Sequence, residues 1–218
     1  KEGTTNIVLT ANGNLVVGII QVDVIPSGEI SPDVQTVANH TVMLKTNGTV
    51  WSYGKSDYES LTDEPKQIVF PEGTIIKQIA CGEYHAAALD TEGNVWTWGR
   101  NNYYQLGITS VESSETPVKV EGIPVITRIA AGNNSVMGIT ENNKLVAWGQ
   151  NAYGELGVGE YSNKQTPTII EGVHDVLDIE GGKNHYLLLK TNGKLYTVRT
   201  NLYGQLGMDL GDRTRINR

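Results

Sequence analysis

Three histidines have the spacing best suited to chemistry: His40, His85 and His185 each stand eight positions before a glycine-bearing turn. Placed at equivalent points around a ring, they would converge and offer imidazole nitrogens to a metal. Ser135 holds the matching place in one copy, and a hydroxyl replaces an imidazole ligand poorly while keeping a hydrogen bond well. The recurring histidines are therefore read as hydrogen-bonding groups within their own sheets, and no metal is expected. His174 is off the pattern and reads as a surface residue. Gly181-Gly182-Lys183 lacks both the spacing and the Ser/Thr of a phosphate-binding loop. Gly157-Val158-Gly159 runs on to Ser162 without opening a helix, and no H-E-x-x-H, EF-hand or G-x-S-x-G pattern occurs. No catalytic residue and no cofactor are expected, so the chain is read as not an enzyme.

The elements that would position such residues follow from the repeats. Turns centred on Gly13, Gly48, Gly93, Asn143 and Gly193 are separated by 35, 45, 50 and 50 residues, each flanked by alternating apolar residues. A dipeptide such as Glu92-Gly93 between two such runs is a hairpin signal, because glycine takes positive φ without a Cβ clash. Gly82, Gly132 and Gly182 keep the register, as do the triplets ending at Gly107, Gly157 and Gly207 and the tyrosines 58, 103, 153 and 203. The recurrence of these tyrosines points to a structural role. Each period supplies about four short strands and no helical periodicity. One small sheet cannot bury both its faces, so repeated sheets must stack, with Trp51, Tyr53, Trp96, Trp98 and Trp148 filling the gaps between them. The reading is an all-β propeller of about five repeats of four-stranded antiparallel blades, in one domain spanning 1–218. The repeats run 1–34, 35–79, 80–129, 130–179 and 180–218, the first degenerate and the last incomplete.

The string G-x-x-H-x-x-x-L-x-x-x-G-x-V-W-x-W-G-x-N-x-Y-x-Q-L-G, from Gly82 to Gly107, resembles the repeat of the regulator of chromosome condensation family. The resemblance covers 35–209 well and 5–17 weakly, and it implies a propeller, usually of seven blades. The family's founding member binds nucleosomes and promotes nucleotide exchange on a small GTPase, and a bacterial relative inhibits β-lactamases. Uneven Asn/Thr-rich copies and a single cysteine suggest a bacterial, secreted or cell-surface member. Five turns do not make seven blades. An arc excised from a longer propeller, a small closed ring and two chains completing one another all remain open. Thr214-Arg215-Ile216 resembles Thr127-Arg128-Ile129, so closure by the tail pairing beside Ile7 is a further expectation.

Composition narrows the partners. Of 218 residues, 17 are Lys or Arg and 24 Asp or Glu, and the net charge of -7 argues against nucleic acid and anionic membrane. No apolar run is long enough to span a membrane. Cys81 is the only cysteine, which excludes an internal disulfide and a thiolate cluster. The chain begins at Lys1, which suggests a processed or excised product.

Residues shared by all copies serve the blade, so residues peculiar to one copy are the candidates for function. Tyr84 stands where other copies have Asn39, Asn134 and Asn184, and Tyr104 where they have Glu59, Gly154 and Gly204. Tyr161 lies in the loop after Gly157, and Arg199 replaces the repeat glycine. Tyrosine and arginine are enriched at interface hot spots, so these four are the candidate partner-binding residues. Acidic loop residues Asp57, Glu59, Asp63, Glu64, Glu112, Glu115 and Glu160 would make one rim negative and steer a basic partner. The function expected is a non-catalytic scaffold that binds a protein through blade loops. Its rivals are a structural segment of a bacterial surface protein or toxin, a carbohydrate-binding propeller using Tyr103 or Tyr153, and an exchange factor for a small GTPase. A homo-oligomer or the remainder of a longer propeller would complete the ring.

Overall fold

The computed structural model describes residues 3–11, 15–24, 30–38, 40–54, 62–199 and 215–217. Every element among them is a β-strand. The first repeat departs from the blade pattern: β1 (Gly3–Ala11) and β2 (Leu15–Val24) pair only with each other, as a two-stranded hairpin. Four four-stranded antiparallel sheets follow. The first holds β3 (Asp33–Val37), β4 (His40–Leu44), β5 (Val50–Gly54) and β6 (Thr62–Ile68). The second holds β7 (Ile76–Cys81), β8 (His85–Asp90), β9 (Val95–Arg100) and β10 (Ser113–Lys119). The third holds β11 (Ile126–Ala131), β12 (Ser135–Thr140), β13 (Leu145–Gly149) and β14 (Lys164–Ile169). The fourth holds β15 (Val176–Gly181), β16 (Tyr186–Lys190), β17 (Leu195–Arg199) and β18 (Arg215–Asn217).

Two expectations are corrected by this topology. The last repeat is not short of a strand, because Arg215–Asn217 pairs with β17 and supplies the fourth strand. The tail therefore completes its own sheet rather than pairing beside Ile7, whose partner is Ile20 in β2. The expected repeat limits also cut through β3, β7, β11 and β15. The apolar run after each proline belongs half to the outgoing sheet and half to the incoming one.

Alternation within the strands sends side chains to both faces of each sheet, and three apolar clusters result, one at each junction between neighbours. Val42, Leu44 and Val50 of the first sheet meet Ile79, Ala88 and Trp98 of the second. Ala87, Leu89 and Val95 meet Ile129, Val136 and Trp148 of the third. Met137, Ile139 and Leu145 meet Ile179, Tyr186 and Leu188 of the fourth. Residues in β8 and β12 are buried without exception, since those strands are covered on both faces. Three of the tryptophans fill the gaps: Trp98 and Trp148 lie within clusters, and Phe70 sits edge-on to Trp96 and Trp98 at 6.0 and 5.9 Å, whereas Trp51 and Tyr53 are half-buried and belong to no cluster between described sheets.

Polar groups tie the junctions as well. The Gln78 side chain donates to Ile129 O at 2.8 Å and accepts from Ile129 N at 3.0 Å, and fifty residues on Arg128 meets Asp178 at 3.1 Å. Backbones approach closely where Gly181 faces Ala131: a methyl added to Gly181 would lie 2.0 Å from Ala131 O. The neighbour there is backbone of another sheet and cannot rotate away. Gly181→Ala is expected to wedge the third and fourth sheets apart and lower stability by about 1–3 kcal/mol, read as a fall in denaturant midpoint.

Candidate functional site

Strand direction decides which loops share an end. In each sheet the loop between the first and second strands and the loop between the third and fourth lie at one end, and the tight hairpin turns at Gly93, Asn143 and Gly193 lie at the other. Arg100 N donates to Tyr84 O at 2.8 Å and Gln150 N to Asn134 O at 2.9 Å, which fastens the two loops of that end together. Tyr84, Tyr104 and Tyr161 all belong to it, and Arg199 closes β17 on the same side. The four residues selected from the sequence thus share one end of the stack.

Their environments differ. Tyr161 is 56% exposed, whereas Tyr84 and Tyr104 are half-buried. The Arg100 guanidinium stacks on the Tyr84 ring, 4.6 Å from its centroid. Tyr104 has a φ of 64°, and its counterpart Gly154 has 77°. The loop geometry asks for glycine at this position, and Tyr104 occupies it against a left-handed backbone preference. Of the acidic rim, Glu64, Glu112, Glu115 and Glu160 are exposed, with Glu160 paired to Lys164 and bonded to Ser162. Asp57, Tyr58, Glu59, Tyr203 and the Gly207 triplet lie outside the described residues, as do the side chains of Asp63 and Arg199.

The loops are held by residues that keep the repeat register and were given no role of their own. Asn101, buried, donates to Ile108 O at 2.8 Å and Val111 O at 2.7 Å and accepts from Leu106 N at 2.9 Å. Asn151 does the same for its loop through Glu160 O, Ser162 O and Leu156 N. Gln105 and Glu155 accept from the backbone N–H of Tyr103 and Tyr153 at 2.9 and 2.8 Å. The 50-residue spacing of these side chains was the available signal. It also corrects the structural role given to the tyrosines, since the rings of Tyr103 and Tyr153 are exposed and it is their backbone that is fastened.

His85 departs from the hydrogen-bonding role expected of the recurring histidines. His85 is 2% exposed, and neither ring nitrogen has a hydrogen-bond partner among the described residues. Burial first, and then neighbouring His40, push its pKa down to about 3. The Ser135 backbone lies near enough to favour the cation without reaching hydrogen-bonding geometry, and burial outweighs it. The imidazole is therefore neutral, wedged beside Gly82, where a methyl would lie 2.1 Å from its Cε1. It borders a small open cleft with His40, Ser52, Tyr84, Ser114 and Glu115. The Ser135 side chain reaches out of its sheet: its Oγ lies 2.8 Å from the hydroxyl of Tyr186 in the fourth sheet. Among the described residues no group of three or more His, Cys, Asp or Glu is placed to hold a metal ion. Among the described residues there is no helix long and apolar enough to cross a membrane.

Stacked four-stranded sheets repeating every 50 residues, with loops gathered at one end, define a propeller-type repeat protein. Models of the regulator of chromosome condensation (RCC1) repeat match residues 92–139 and 142–189, and residues 76–105 and 126–155. Together they span 76–189, and the chain belongs to the regulator of chromosome condensation repeat family. Human WBSCR16 superposes with a TM-score of 0.75 at 20% identity, over 94% of this chain and 57% of that one. Yeast RCC1 (Prp20), solved bound to Kap60, gives 0.74 at 25% identity over 85% of this chain and 45% of that one. Prp20p from Saccharomyces cerevisiae gives 0.73 at 26% identity over 81% and 45%. The chain spans about half the length of these proteins. No curated protein is significantly similar to it in sequence.

Proposed function

We propose that this chain is a non-catalytic scaffold that holds a partner protein with a basic face against the loop end of its sheets. The observation that carries this reading is Tyr104. Its backbone sits at a φ of 64° where the sister repeat uses glycine, so the side chain works against the fold. A large aromatic kept at a position of local strain, at the same end of the stack as Tyr84 and the exposed Glu112 and Glu115, is suited to recognition rather than to packing. The net charge of -7 favours a basic partner. Prp20p has been described with binding to Gsp1p and histones, and yeast RCC1 with Kap60, which supports protein binding by propellers of this kind.

Core histones serve as the basic probe in the experiment that tests this. Calorimetric titration is expected to give saturable binding to the wild type, weakened about tenfold or more in Tyr104→Gly. The same variant should be at least as stable as the wild type, because glycine relieves the left-handed backbone at a gain of about 1 kcal/mol. A loss of binding with no loss of stability separates recognition from folding. Equal binding by Tyr104→Gly, or none by the wild type, sinks the reading.

A further inference from the structure

We propose that the outer face of the fourth sheet is an interface and that its occupant is the first sheet of a second copy of this chain. The face is the same one that each earlier sheet turns toward its successor. Val50, Val95 and Leu145 occupy equivalent positions on it and are each 0% exposed, while Leu195 is 58% exposed. Leu187 and Leu189, whose counterparts Ala87, Leu89, Met137 and Ile139 are buried, are half-buried. The hairpin turns make the same comparison. A methyl on Gly48 would meet Ile75 of the next sheet at 2.8 Å, and one on Gly93 would meet Val125 at 2.5 Å. Around Gly193 there is nothing within 4 Å.

The backbone is patterned for the same continuation. Ile126 N donates to Gly93 O at 3.0 Å and Val176 N to Asn143 O at 3.2 Å, so each turn receives the start of the following sheet. At the loop end Glu83 N donates to Asn133 O at 2.9 Å and Asn133 N to Lys183 O at 3.0 Å. An occupant that repeats these contacts is itself a sheet of this type, entering with its opposite face.

The chain carries such a face on its first sheet. Val34, Met43, Trp51 and Tyr53 pair across their strands as Ile79, Ala88, Trp96 and Trp98 do in the second sheet, which uses that face to meet the first. All four are half-buried. One molecule therefore presents both halves of a junction that it already makes three times internally. The two halves lie on the first and fourth sheets, which share no apolar cluster among the described residues, and a second copy supplies both. Two copies joined head to tail at both ends close a ring of about eight blades, within the range of about 4–8 in which propellers close.

Light scattering of the 218-residue chain over a concentration series tests the proposal. The expected mass is twice 23.7 kDa. Leu195→Glu, at a position exposed within one chain, and Trp51→Glu are each expected to give the single-chain mass with an unchanged far-UV spectrum and a melting temperature lowered by the lost association. Placing a carboxylate in an apolar junction should weaken association by about 100-fold or more. Mixing the two variants restores a two-chain species, because one junction in the mixed pair is intact. A wild type at single-chain mass, a ladder of higher masses, a two-chain mass that survives Leu195→Glu, or no recovery on mixing overturns it.

Discussion

Replacing Tyr186 by alanine is expected to cost about 3–5 kcal/mol of stability, the range for deleting a fully buried aromatic. The side chain is 0% exposed and packs among Met137, Ile139 and Leu145 at the junction of the third and fourth sheets. Its hydroxyl accepts from Gly132 N at 2.8 Å and lies 2.8 Å from Ser135 Oγ. Burial pushes the phenol up, so it keeps its proton and can serve Ser135 as a donor. Tyr186→Phe keeps the ring and loses only the hydroxyl. Because Gly132 N also donates to Ser135 O at 2.9 Å, the loss is expected to be smaller, about 1–2 kcal/mol.

The reason for a tyrosine here is the missing histidine. Beside Gly82 and Gly182 the space is filled by the imidazoles of His85 and His185, while beside Gly132 it is filled by Ser135 Oγ and the tip of Tyr186. Position 186 corresponds to Ala86 and Val136, both small. Ser135 and Tyr186 thus form one exchange, a ring contributed from the neighbouring sheet in place of a ring from the same sheet. Ser135→His in the wild type should clash with the phenol and destabilise by about 1–3 kcal/mol. In a Tyr186→Val background the same change should recover stability, with a coupling of at least about 1 kcal/mol in a double-mutant cycle. Additive effects of the two changes, measured by urea denaturation, would rule out the exchange.

This pair marks the limit of what the sequence makes legible. Periodicity of turns and apolar residues locates every hairpin from His40 onward, because hydrophobic alternation and positive-φ turns are local signals. Subtracting the common residues selects Tyr84, Tyr104, Tyr161 and Arg199, and strand direction then sets all four at one end of the stack. Contacts between sheets leave no local signal. Ser135 and Tyr186 are 51 residues apart, Gln78 and Ile129 likewise 51, and only register between sheets brings them together. The same gap misassigned the tail. A strand of three residues, Arg215–Asn217, is too short to show alternation, and its partner β17 is fixed by the sheet rather than by its own sequence.

His85 gives the fold its sharpest expected dependence on acid. The native ring, its pKa held near 3 chiefly by burial and then by His40, stays neutral, whereas the unfolded chain takes up a proton near the ordinary value of 6.5. Between those values the unfolded state binds more protons, so the stability is fully present above about pH 6.5 and is lost as pH falls toward 3. Burial lowers His40 in the same direction, so the two reinforce one another. Near pH 4.5 the loss from His85 alone should be on the order of 2–3 kcal/mol, since each pH step below the unfolded value contributes about 1.4 kcal/mol. Urea midpoints from pH 8 down to pH 4.5 read this slope directly, and His85→Gln should flatten it while leaving the His40 part. Because the ring nitrogens have no partner among the described residues, the substitution removes an imidazole that was packed but unbonded. The slope should therefore change more than the stability at pH 8. A variant that keeps the wild-type slope would mean that the imidazole is hydrated or hydrogen-bonded in solution and that its wedge beside Gly82 is not what keeps it neutral.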